Sequence, residues 1–164
     1  MFRKAILIFI VLMLGFSATA KPALTTGSAP PLFSLSNLEG KTVSLDKHLG
    51  KKAIILSFFA SWSKSCQQEI SFLQELAKNK KIEVLGISYD RKLNDIQALA
   101  AENKLNFNIL HDKKLTTLKD YRILIIPTLF VIDQSGNISS VYVDFDKNVE
   151  EAVSAEIKKL LLVP

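Results

Sequence analysis

The chain has 164 residues, 48% of them hydrophobic and 23% charged, with a formal net charge of +5. That length suits one domain with a short appendage. The basic residues are scattered, with lysine pairs at Lys51–Lys52, Lys80–Lys81 and Lys113–Lys114. No basic stripe interleaves with aromatics, and this excludes a nucleic-acid partner.

Arg3 and Lys4 precede an uncharged apolar run, Ala5 to Phe16, and then Ser17-Ala18-Thr19-Ala20, with small residues where a signal peptidase reads them. As a helix the run spans about 18 Å, short of the roughly 30 Å hydrocarbon core of a bilayer. Residues 1–20 are therefore expected to be an export signal, placing the protein in the periplasm or another extracytoplasmic space. Membrane contact is expected only if that segment stays uncleaved as an anchor. Residues 21–31 (KPALTTGSAPP) read as a flexible leader, and residues 32–164 as the folded domain.

Phe33 and Leu35 alternate with serines, and Val43 and Leu45 alternate with Thr42 and Ser44. Asn37 to Gly40 between them supplies turn chemistry, so a hairpin is expected. Ala53 to Ala60 (AIILSFFA) is a nearly continuous apolar run, as in a strand buried on both faces. After Cys66 the period changes. Ile70, Leu73 and Ala77, with Phe72 and Leu76, recur at three- and four-residue spacing, which predicts a helix to about Lys78. A capping box, Ser65-Cys66-Gln67-Gln68, would start it at Ser65 with Cys66 as its first residue.

Ile82 to Ser88 reads as a second buried strand, Asn94 to Asn103 as a helix, and Phe107 to Leu110 as a short extended segment. A helix near Lys114 to Tyr121 leads into ILIIPTLFVID. Proline lacks an amide donor, so Pro127 places the strand after it, at Thr128 to Ile132. Ile138 to Phe145 alternates as a strand (Val141, Val143, Phe145), and a last helix covers Asn148 to Leu162. Hairpin, β-α-β, inserted helix, then α-β-β-α is the order of an α/β thioredoxin-like fold: a central mixed β-sheet flanked by helices, with an N-terminal β-hairpin extension.

The chain has one cysteine, Cys66, and one tryptophan, Trp62. In an oxidising compartment cysteines usually pair. A single one stays free, is buried, or bonds to another molecule, which leaves a disulfide-linked dimer through Cys66 open. His48 and His111 have no partners at metal-ligand spacing, and no phosphate loop or nucleotide fingerprint is present, so neither metal nor cofactor is expected.

Four stretches resemble exported thioredoxin-like reductases of the TlpA/ResA type, within the redoxin group that includes peroxiredoxins. "APPLFSLSNLEGKTVSL" is similar to the family's opening hairpin. "ILSFFASWSKSC" is similar to its strand and active-site turn, N-F-W-A-S-W-C-x-x-C. "QQEISFL" places Glu69 at a glutamate these reductases often keep. "YRILIIPTLFVIDQSGNI" resembles Y-G-V-x-x-x-P-T-x-F-x-I-D-x-x-G-x-I. The resemblance implies a thiol-disulfide oxidoreductase class, antioxidant chemistry, and protein thiols or disulfides as partners. It puts Pro127 on the proline that is cis in the superfamily. Ile126 would lend its backbone to a docked peptide, with Trp62 lining the groove.

On that alignment Ser63 stands at the first cysteine of C-x-x-C and Cys66 at the second, and Ser57 takes the position of a buried acid or amide. A dithiol reductase needs its first thiol at a helix N-terminus, where the local field yields a thiolate. That thiolate opens the target disulfide and the second cysteine resolves the product. Serine is far too weak an acid for the first step. The expectation is a degenerate S-x-x-C site with a residual redox role through Cys66. The alternatives are a redox-silent module binding an extended peptide, or a one-cysteine peroxidase. Against the last, Phe59 stands where peroxiredoxins carry a proline and Pro127 where they carry an arginine.

Overall fold

The computed structural model describes residues 24–162, and the expected export signal lies outside them. In chain order the elements are β1 (Ser34–Asn37), β2 (Thr42–Ser44), a 3-10 turn (Leu45–Lys47), β3 (Ala53–Phe59), α1 (Lys64–Ala77), β4 (Ile82–Ser88), α2 (Leu93–Glu102), β5 (Asn108–His111), α3 (Thr116–Asp120), β6 (Thr128–Ile132), β7 (Ile138–Val143) and α4 (Lys147–Leu162). The strands form one sheet in the order β2-β1-β5-β4-β3-β6-β7. β3 pairs in parallel with β4 and antiparallel with β6, so the sheet is mixed.

Every residue of β3 is buried, which is why its sequence is apolar without alternation. Its side chains divide between two layers. Ile54, Leu56 and Phe58 pack with Tyr121, Ile123 and Phe130 on one face. On the other, Ile55 meets Leu73 of α1 and Val153 and Ile157 of α4. Burying each such side chain is worth about 2 kcal/mol. Gly86, in the middle of β4, lies under two aromatic rings. A Cβ there would stand 3.0 Å from Phe59 and 3.2 Å from Phe107.

Two expectations change. The leader is expected to be flexible, but its described part is bonded to the domain. Gly27 N–H donates to the Ile138 carbonyl at 2.7 Å, and Ile138 N–H to that of Ser28 at 2.9 Å. Tyr121, packed on Phe58 and Phe130, donates its hydroxyl to the Pro31 carbonyl at 2.8 Å. The second change is at β7, which stops at Val143. Asp144 takes a positive φ of 65°, and Phe145 leaves the strand to pack on Phe72, ring centres 5.6 Å apart. Because β7 is an edge strand, Val141 and Val143 stay exposed. With Leu24, Leu124 and Ile125 they line an apolar groove of about 390 Å³.

Candidate functional site

The turn between β3 and α1 carries Ser61, Trp62 and Ser63. Helix α1 begins two residues earlier than the capping-box reading predicts. Ser63, not Ser65, is the N-cap, and its hydroxyl accepts the Cys66 N–H at a long 3.4 Å. Cys66 is thus the third helical residue rather than the first. Its side chain packs with Phe59, Ile70, Ile96 and Ile109 and is 0% exposed. Burial pushes the thiol pKa up. Contacts with Ser63 and the Ala60 backbone pull it down, and the nearby Glu69 and Asp90 carboxyls push it up again.

Glu69 lies one helical turn further on and points inward. It is 1% exposed and accepts a hydrogen bond from Ser57 Oγ at 2.7 Å. Burial raises its pKa to about 8, against the Ser57 bond, which lowers it. Ser57 alone reads as the loss of a buried acid. The structure supplies an acid from the helix instead, reaching to the same strand position.

Across the turn, the Ile126–Pro127 peptide bond is cis. Pro127 is buried and its carbonyl accepts the Asp144 N–H at 2.8 Å. Thr128 Oγ1 donates to the Ile125 carbonyl at 2.7 Å. Ile126 packs against both the Cys66 cluster and the Tyr121 cluster. Ser63, Cys66 and Ile126 therefore come together, with Glu69 behind them. Trp62 does not join the packing; it is 71% exposed on the turn.

The sequence reading passes over Asp90. This carboxyl is 2% exposed. Its Oδ2 accepts from Ser61 N–H at 2.9 Å and Ser88 Oγ at 2.6 Å, and its Oδ1 from Ser61 Oγ at 2.7 Å. His111 Nε2 lies 2.8 Å from the Asp90 carbonyl oxygen, which can only accept, so the imidazole donates. A signal for this cluster existed. Parallel β3 and β4 end in register at Phe59 and Ser88, so residues just past the two ends must meet.

A mixed sheet of this order, with a cysteine-bearing helix start packed against a cis-proline loop, defines a thioredoxin-like fold. The AhpC/TSA family model matches residues 26–141, and the chain belongs to that family. It is 29% identical over 147 residues to the thiol-disulfide oxidoreductase ResA of Geobacillus thermodenitrificans (strain NG80-2), covering 85% of this chain and 84% of that protein. It is 34% identical over 122 residues to the thioredoxin-like protein YneN of Bacillus subtilis (strain 168), covering 71% of each. A crystal structure from Chlorobium tepidum, named as a candidate thiol:disulfide interchange protein DsbE, superposes with a TM-score of 0.78 at 29% identity, covering 85% of this chain and 99% of that one. The chain is thus a thioredoxin-fold protein resembling the thiol-disulfide oxidoreductases.

Proposed function

We propose that this is an exported protein with a degenerate S-x-x-C site, in which Ser63 stands where the attacking thiol of a dithiol reductase would be. In this reading it holds an extended segment of a partner protein at Trp62, Ile126 and Pro127 without disulfide exchange. The observation that carries it is the complete burial of Cys66. A thiol in an apolar pocket, with its pKa pushed up by burial and by Glu69 and Asp90, is a poor nucleophile at neutral pH. Ser63 supports the same reading, since its hydroxyl is engaged as the cap of α1. The exposed Trp62 offers a partner a large flat apolar surface at low entropic cost.

A residual redox role for Cys66, including a disulfide-linked dimer or a peroxidase step, requires the turn to open and expose the sulfur. One feature favours it: as the third residue of a 14-residue helix, Cys66 lies within reach of the N-terminal field.

Alkylation of Cys66 in the folded protein separates the two readings. With iodoacetamide, modification is expected to be slow at pH 7, at least tenfold below a free cysteine. Its rate is expected to rise only above the ordinary thiol range. A thiolate titrating below pH 7 would overturn the silent-module reading.

A further inference from the structure

The turn over Cys66 is fastened by a side chain that belongs to neither element flanking it. Asp90 follows β4, and both its oxygens are committed to Ser61, one to the amide and one to the hydroxyl. The third polar group of Ser61, its carbonyl, accepts from Gln67 Nε2 at 2.9 Å. One residue of the turn is therefore tied at every polar atom, to the end of β4 on one side and to α1 on the other.

The carboxyl itself is fixed. Ser88 Oγ donates to its Oδ2 at 2.6 Å and accepts the Asp90 N–H at 3.2 Å, while His111 holds its carbonyl from β5. Held on these sides, it cannot follow Ser61 if the turn moves. We propose that Asp90 is a positioning residue that latches the turn shut, so that Cys66 becomes open to small electrophiles or partner disulfides only when the carboxylate releases Ser61. The inference rests on the reading above, in which the site works with its cysteine closed off.

The latch acts in two separable ways. Geometrically, it pins the turn over a sulfur that is 0% exposed. Electrostatically, it stands among the groups that face Cys66: Glu69 on α1, Tyr89 beside Asp90, and Ser63 with the Ala60 backbone in the turn. Burial is the main cause of the raised thiol pKa, and the Asp90 carboxyl adds like-charge repulsion. Ser61→Ala removes one bond and keeps the charge. Asp90→Asn keeps the shape, removes the charge, and cannot accept at both former positions because its amide nitrogen only donates.

The test is the iodoacetamide rate at Cys66 in the native protein from pH 6 to 10, for the parent, Asp90→Asn and Ser61→Ala, with urea stability measured for each. Losing a hydrogen bond to a charged group is expected to raise the opening equilibrium, and so the rate, roughly tenfold to a hundredfold in Asp90→Asn. Its pH midpoint is expected to fall. Ser61→Ala should be several-fold faster than the parent with its midpoint unmoved, and it remains informative if Asp90→Asn does not fold. A general loosening would accelerate both variants in step with lost global stability and move neither midpoint, which would overturn the proposal. So would variants as slow as the parent. A parent that itself reacts rapidly below pH 7 instead refutes the silent-module reading, and with it the closed state that the latch requires.

Discussion

Replacing Ser63 with cysteine is expected to turn this protein into a disulfide reductase. The position is the N-cap of a 14-residue helix in extended backbone geometry, where unpaired amides and the helix field stabilise an anion. Thiols so placed have pKa values of about 3.5 to 7.5, so the new side chain would be largely thiolate at neutral pH. Cys66, three residues on, would resolve the mixed disulfide. The protein dithiol is oxidised as the target disulfide becomes two thiols, and dithiothreitol returns it to the reduced state. In an insulin-reduction assay, Ser63→Cys should exceed the parent by about a hundredfold or more, the scale set by replacing a hydroxyl with a thiolate nucleophile. Adding Cys66→Ser should abolish turnover and trap the mixed disulfide. An inactive Ser63→Cys protein that folds normally would show that Ser63 does not occupy the attacking position.

The second large effect is a fall in stability with rising pH, traced to Glu69. Its pKa is pushed from the ordinary 4.5 up to about 8 by burial. The folded chain therefore keeps a proton that the unfolded chain has already released. A group raised in this way contributes its full stability below about pH 4.5 and loses it progressively as pH climbs towards 8. The slope is at most about 1.4 kcal/mol per pH unit. Glu69→Gln removes the ionisation while its amide oxygen still accepts from Ser57. Urea unfolding at pH 5, 7 and 9 should show a falling parent and a nearly level variant, with the variant ahead by on the order of 3 kcal/mol at pH 9. Equal slopes for the two proteins between pH 5 and 8 would show that Glu69 ionises normally.

These two residues also mark where the sequence is a sufficient guide. The apolar run of β3, the missing amide of Pro127 that sets the start of β6, and the turn residues of the β1–β2 hairpin act locally or through simple burial, so they can be read along the chain. Glu69 and Ser57 are each visible alone. That the helix acid reaches the strand hydroxyl emerges only when the two elements pack. Asp90 lies 29 residues from Ser61, and only the shared end of two parallel strands brings them together. The cap of α1 is a closer competition. Ser63 and Ser65 both offer a hydroxyl, and the start falls to Ser63 because its oxygen takes the Cys66 amide. The alternation in β7 describes the strand but not what covers it, so Val141 and Val143 look like core residues until the edge position is known.

The fastening of residues 24–31 gives the domain a line of tension. Gly27 and Ser28 are held at Ile138 on the β7 edge, Pro31 at Tyr121 over the middle of the sheet, and β1 lies on the other side of β5. The chain thus runs as a strap from one flank of the sheet to the other. A pull on its front end is delivered first to two backbone bonds at the edge, then to the tyrosine, and only afterwards to β1. The strand that leads into Cys66's turn, β3, lies inside the sheet between β4 and β6 and carries none of these fastenings itself.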